Sequence, residues 1–261
     1  MKTGIPTLRL LTLALVPFLT DCATPKTSAP PAVAGSAVVK PVDAVDELDD
    51  YGAAAEVADP LEGLNRATFK LNDGLYNFVF RPVSKGYEFV APQPVRKGLT
   101  NFFDNVKFPV RFVNSGLQGK FGRAGKEVQK FGVNTIVGAG GFVKVSDKIP
   151  SLVAVPSEDT GQTLAKWGLG HGPYMVLPVF GPSTARETVG FAGDYVLNPV
   201  NWGFFLKGDA RDWVWIPSTV NTVQSLPDQL YYYDEACKNS VDPYLSVRSI
   251  YIQNRNSAAG Q

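Results

Sequence analysis

The chain has 261 residues, is 44 % hydrophobic and carries a net charge of +1. That length allows one large domain or two small ones, and near-neutrality excludes the broad basic field that nucleic-acid binding needs. Gly 25 and Pro 20 are many for a chain whose patterns are mainly helical, so short, interrupted helices are expected rather than long bundle helices.

Lys2 and Arg9 precede and enter an apolar run, Leu10 to Leu19, which is too short to cross a bilayer. Residues 1–21 therefore read as a signal peptide. Cys22 follows, with Leu19 three residues before it, and this resembles a bacterial lipobox. The resemblance implies cleavage before Cys22 and a diacylglyceryl anchor on its sulfur, and Ala23 resembles lipoproteins sorted to the outer membrane. Asp21 departs from the small residue of that pattern. Plain secretion with a free or disulfide-bonded Cys22 is the alternative. The one other cysteine is Cys237, with no CxxC and no zinc-ligand spacing, so no metal or cofactor is expected. Residues 22–58 lack periodicity, are rich in Pro, Ala and Ser and end in an acidic run. They read as a disordered, lipid-anchored linker.

The folded domain is expected over 59–256, with a polar tail at 257–261. Asp59-Pro60-Leu61-Glu62 has the form of a helix start, with Asp as N-cap and Pro at N1. Leu61, Leu64, Thr68, Leu71, Leu75 and Phe78 then make one apolar face, with Asn65, Arg66, Asn72 and Asp73 off it. Arg81-Pro82 is expected to break that helix. Short helices follow over 82–90, 94–103, from Pro109 to Gly119, and over 122–137. Asp159 can cap a helix through Trp167. Residues 170–182 are extended, since three prolines and three further glycines forbid a helix. Thr184 to Glu187 forms a second capping box, opening a helix to Leu197. Further helices are expected over 217–224, 227–238 and from Asp242-Pro243 to about Arg255. No hairpin dipeptide of the Asn-Gly type occurs, so no strand pair is expected. The class is mainly α.

Phe131 to Val143, FGVNTIVGAGGFV, has no charge and turns on Gly138, Gly140 and Gly141. It is either a phosphate-cradling loop or an apolar hairpin. The dinucleotide motif needs a strand before it, a helix after it and a third glycine, and all are missing here. The phosphate reading fails on that context. His171, the one histidine, sits between two glycines and reads as structural. No G-x-S-x-G, P-loop or Cys-His pair occurs, and adjacent carboxylates such as Glu158 and Asp159 point apart on a helix. An enzyme is not expected.

DPLEGLNR (59–66), Arg81-Pro82, PQPVRKGLTNFFDN (92–105), NTIVGAGGF (134–142), EDTGQTLAKWGLGHGPYMVLPVFGPSTAR (158–186) and VDPYLSVRSIYIQNR (241–255) together resemble the VacJ/MlaA family of outer-membrane lipoproteins. The resemblance covers essentially the whole folded part. It implies a single domain of many short, Gly/Pro-interrupted helices arranged as a ring around a polar channel in the periplasmic leaflet of the outer membrane. It also implies removal of mislocalised phospholipid from the outer leaflet. The implied partners are phospholipid, a trimeric porin and a soluble periplasmic lipid carrier. A polar lumen would solvate a head group that hydrocarbon cannot. Asn65, Arg66, Asn72, Arg96 and Arg186 are the channel candidates, with helix–helix salt bridges as the other reading of the same residues. Gly138, Gly140, Gly141 and Phe142 are the candidate hinge, placed to touch the porin or gate the channel. A porin-binding structural lipoprotein without a channel is the alternative function.

Overall fold

The structure is a computed structural model that describes residues 57–153, 155–205, 215–238 and 240–260. The expected signal peptide, Cys22 and all but the last two residues of the linker lie outside the described residues.

α1 (Glu62–Leu75) starts later than its sequence signal. Its N-cap is Leu61, with no side-chain cap. Asp59 is drawn instead into tertiary contacts: Asn65 Nδ2 donates to it at 2.7 Å, the Tyr244 hydroxyl donates to it, and Arg248 lies 3.5 Å away. A buried carboxylate gains more from such donors than from one backbone N–H.

The break expected at Arg81-Pro82 does not occur. α1 passes through a π-helical turn (Tyr76–Phe80) into α2 (Arg81–Val90), with Tyr76 and Arg81 both in the helical region. A proline inside a helix normally clashes with the carbonyl four residues back. Here the Arg81 N–H reaches the Tyr76 carbonyl, five residues back. That wider turn makes room for the Pro82 ring.

α3 (Gln93–Val106), α4 (Phe108–Leu117) and α5 (Phe121–Ile136) follow, the first two with proline in the opening turn. After the glycine hinge come a 3₁₀ turn (Val145–Lys148), one helical turn (Pro150–Val153) and α6 (Thr160–Lys166). Asp159 caps α6, accepting from the Gln162 N–H at 2.7 Å as the sequence leads one to expect.

Residues 174–184 correct the expectation of no strand pair. β1 (Tyr174–Leu177) and β2 (Gly181–Thr184) pair antiparallel, Tyr174 opposite Thr184 and Leu177 opposite Gly181. The turn between them places Val179 at φ 72°, a backbone region that β-branched residues rarely adopt. Pro178 suits the first corner of this turn, but the positive-φ corner normally takes Gly or Asn, so Val179 hides it from sequence patterns.

Thr184 caps α7 (Ala185–Leu197), accepting from the Glu187 N–H at 3.4 Å. A 3₁₀ segment (Pro199–Phe205) leads on, and α8 (Trp215–Cys237) is one helix where two were expected, with Pro227 inside it. Leu226 and Leu230 beside that proline are buried. Their burial is worth roughly 2 kcal/mol each, enough to offset the ~3 kcal/mol of an interior proline. α9 (Pro243–Ala259) closes the chain, capped by Asp242, which accepts from the Tyr244 and Leu245 N–H groups.

α9 packs on α6, α6 on α4, α4 on α5, α5 on α3, α3 on α8, and α8 on α9. The hairpin lies against α1, α7 and α9. The apolar core is small: Val57, Tyr174, Val176, Tyr244 and Ile252, with Phe69, Leu245 and Tyr251 packed on it. Among the described residues no helix is long and apolar enough to cross a membrane.

Candidate functional site

The polarity of the molecule is inverted relative to a water-soluble domain. Buried polar side chains outnumber buried apolar ones among the described residues. α1 shows why. Its apolar face points out, with Leu64 63 % and Leu71 55 % exposed and Phe78 on the following π-helical turn 84 % exposed, while Asn65 and Asn72 are buried at 2 % and 3 %. An apolar stripe of that size in water is costly, at about 25 cal/mol per Å², and contiguous exposure of this kind marks an interaction or lipid-facing surface. Phe89, Phe121, Ile136 and Val137 extend the exposed apolar surface onto α2, α5 and the hinge.

Inside, three networks pair many of the buried polar groups, while others, Arg255 Nε and Glu158 Oε2 among them, have no hydrogen-bond partner. The first clamps the hairpin. Asn65 donates to the Tyr174 carbonyl at 3.2 Å and accepts from the Val176 N–H at 2.9 Å. Asn72, two turns on, donates to the Leu177 carbonyl at 2.9 Å and accepts from the Val179 N–H at 2.7 Å. The two amides thus complete the free edge of β1, and Asn72 holds the strained Val179.

The second network joins α6, α7 and α9. Arg255 forms a two-pronged pair with Asp159 at 2.7 and 2.9 Å and also meets Glu187. Burial alone would raise the Asp159 carboxyl, but Arg255 and the cap bonds from Gln162 hold it below the usual carboxylate range. Arg186, buried, binds Glu187, the Leu169 carbonyl and His171 Nδ1. A guanidinium only donates, which makes His171 Nδ1 the acceptor and leaves its Nε2–H to donate to Asn256 Oδ1 at 2.6 Å. Asp194 accepts from Thr160 N at 2.9 Å, Thr160 Oγ1 at 2.6 Å and Asn114 Nδ2 at 3.3 Å. Burial, followed by the Asp159 charge, pushes Asp194 up to about 7.

The third network ties α3, α4 and α5. Arg111 bridges Glu127 at 2.7 Å and Asp104 at 3.1 Å, and Lys144 reaches Asp104 at 2.7 Å. Burial opposes ionisation of Asp104, but Arg111 and Lys144 hold its carboxyl well below the ordinary range.

The glycine hinge docks on this third network. A Cβ at Gly138 would lie 2.1 Å from the Val143 carbonyl oxygen, and one at Gly141 would lie 2.7 Å from Asn105 with φ already at 100°. Only glycine permits those approaches. Asn101 Nδ2 donates to the Phe142 carbonyl at 3.1 Å, and the Phe142 ring stacks on Phe102 at 5.1 Å. Ile136, Val137, Phe142 and Val143 remain exposed. The stretch is the end of α5 followed by a glycine turn, seated on α3 through Asn101 and Phe102.

The family profile described as MlaA lipoprotein matches residues 57–258. The chain belongs to the MlaA lipoprotein family. It is 33 % identical over 204 residues to the intermembrane phospholipid transport system lipoprotein MlaA of Escherichia coli (strain K12), covering 77 % of this chain and 78 % of that one. The protein of that name from Haemophilus influenzae is 28 % identical over 207 residues, covering 79 % and 81 %. An uncharacterised protein of Rickettsia felis is 35 % identical over 206 residues, covering 78 % of each. A solved structure reported as "Structural basis for maintenance of bacterial outer membrane lipid asymmetry" superposes with a TM-score of 0.63 at 31 % identity, over 77 % of this chain and 99 % of that chain. This MlaA-family chain shares that mainly helical, single-domain fold.

The sequence candidates fall into different places. Asn65 and Asn72 are spent on the hairpin backbone. Arg66 bridges Glu62 and Asp242 at 2.7 and 2.8 Å and lies over the Tyr244 ring. Arg96 binds Glu88 at 2.6 Å. Arg186 belongs to the second network. The structure does not gather these five into one cluster. Sequence reading passed over Asp104, Arg111, Glu127, Asp194 and Arg255. Each is an ordinary charged residue in a helix, and no local pattern marks Arg111, Glu127 and Asp194 as buried or Asp104 and Arg255 as half-buried.

Proposed function

We propose that this MlaA-family chain is an outer-membrane lipoprotein that takes mislocalised phospholipid from the outer leaflet and passes it to a soluble periplasmic carrier. The observation that carries the reading is the inverted polarity: apolar side chains outward, amides and ion pairs inward. Exposed apolar faces would sit in the acyl layer. A polar interior, in the ring of helices that the family resemblance implies, would offer a head group the hydrogen bonds that hydrocarbon lacks. The names of the Escherichia coli and Haemophilus influenzae relatives support the same reading. In this proposal Cys22 carries the lipid anchor, a trimeric porin holds the protein in place, the glycine hinge faces the porin or gates the path, and no covalent chemistry is done. Deleting the protein should expose phospholipid on the cell surface, read by outer-leaflet labelling. Cys22→Ala should move the chain out of the membrane fraction. An unchanged outer-leaflet lipid composition in the deletion strain would refute the transport role.

One observation favours a structural lipoprotein without a channel. Arg111, Arg186 and Arg255 already hold carboxylate partners, so they need no head group for compensation. That reading predicts retained porin binding with no transfer of phospholipid between labelled vesicles and the carrier.

A further inference from the structure

Charge is unevenly placed along the chain. Residues 104–148 hold eight Lys/Arg against three Asp/Glu, whereas residues 149–260 hold seven against ten. The three acids of the first segment are Asp104, Glu127 and Asp147. Two of them face inward. Glu127 is fully buried on Arg111 and Lys130, and Asp104 is taken by Arg111 and Lys144. Lys120 and Arg123 are taken by Glu158, so the charges of the segment left exposed are Lys126 and Lys148, with Asp147 the one exposed acid.

α5 arranges that charge in a particular way. At 3.6 residues per turn, its buried side is Ala124, Glu127 and Asn134. To one flank lie Phe121, Val128 and Ile136, 75 %, 47 % and 85 % exposed. The opposite flank carries Arg123, Lys126 and Lys130, of which Arg123 is paired with Glu158 and Lys130 with Glu127, leaving Lys126 as its exposed charge. Lys126 is exposed, as is Lys148 on the 3₁₀ turn that packs against α5. An exposed apolar flank beside a basic one is the pattern of a helix lying in a membrane interface, where acyl chains meet the apolar side and lysines extend to the phosphate level.

We infer that the outer side of α5, with Lys126 and Lys148, is a seat for an anionic phospholipid surface. Charge complementarity selects that occupant over a zwitterionic one, because a neutral head-group layer offers the outward lysines no net attraction. Each Lys near an anionic leaflet strengthens binding about fivefold, and the effect fades within a Debye length. The inference rests on the proposed placement of the exposed apolar faces in lipid and adds a head-group class and the residues that read it.

The test is flotation of the purified full chain with vesicles of phosphatidylcholine alone or with one third phosphatidylglycerol, at about 0.1 M and about 1 M salt. Anionic lipid should tighten binding at least tenfold at the lower salt, and the gain should collapse at the higher. Lys126→Gln with Lys148→Gln should cut the gain roughly 25-fold at most, two charges at about fivefold each, and leave binding to phosphatidylcholine alone unchanged. Both positions are exposed, so the fold, checked by circular dichroism, should survive. Equal, salt-insensitive binding to both vesicles would overturn the inference while leaving the lipid-facing reading intact. So would an undiminished gain in the double variant, as expected if this flank instead holds an acidic protein. Failure to float with either vesicle would overturn both.

Discussion

Asn65→Leu gives the sharpest test of the inverted interior. In an ordinary amphipathic helix, replacing a polar residue by leucine on a packed face stabilises. Here it should do the reverse. The Asn65 side chain makes three hydrogen bonds, to Asp59, the Tyr174 carbonyl and the Val176 N–H, and is 2 % exposed. Leucine leaves one buried backbone donor and one buried acceptor without partners, at roughly 1–3 kcal/mol each. Losing the bond to Asp59 costs about 1.5 kcal/mol more. Leucine's own burial returns about 2 kcal/mol. The net expectation is a loss of about 3 kcal/mol, read as a fall in the urea midpoint in mild detergent at unchanged slope, where slopes run about 1–3 kcal/mol per M. The control is the next-door substitution. Leu64→Asn, at a 63 % exposed position, should move stability by less than about 0.5 kcal/mol while weakening partition into vesicles. If Asn65→Leu proves neutral, or Leu64→Asn costs as much, the assignment of inside and outside on α1 is wrong.

At the hinge, Gly141→Val should cost well over 2 kcal/mol in the same assay, because it adds a Cβ 2.7 Å from Asn105 to a φ of 100°. Gly140→Val, which faces open space at φ 73°, should carry only the backbone strain of about 1–2 kcal/mol. Equal losses would mean that contact with Asn105 does not set the hinge. Val179→Gly should be neutral or stabilising by up to about 1 kcal/mol, since it relieves a φ of 72°, whereas Val176→Gly, buried on β1, should destabilise. Asp194 governs pH dependence. Its carboxyl is raised from 3.8 to about 7, so the folded state binds its proton more tightly than the unfolded one. The stability this contributes is complete below about pH 4 and is lost as pH rises towards 7, by up to about 4 kcal/mol. Asp194→Asn should flatten the profile in that window. The depressed carboxyls of Asp104 and Asp159 act in the opposite sense, below about pH 4. A wild-type profile that is flat from pH 4 to 7 would show that Asp194 stays ionised.

The helix caps at Asp159, Thr184 and Asp242 were legible in the sequence because capping is local: acceptor and N–H lie within three residues. The turn at Gly138–Gly141 was legible for the same reason, since glycine's freedom at positive φ, as at Gly140 and Gly141, belongs to the residue itself. Other features depended on partners far along the chain. Asp59 forgoes its local cap for Tyr244 and Arg248. The hairpin turn has Pro178 at its first corner but valine where Gly or Asn would signal the second, and Asn72, more than a hundred residues away, holds Val179 there. Likewise, an apolar stripe on α1 says that one face differs from the other, but not which of them is buried. That choice is a property of what surrounds the helix. The sequence alone determined a mainly helical chain whose first helix has one apolar face and which turns at the glycines of 138–141. Only the tertiary structure decided that Asn65 and Asn72 go in while Leu64 and Phe78 stay out, because the hydrogen bonds that repay burial of those amides exist only once β1 lies beside α1.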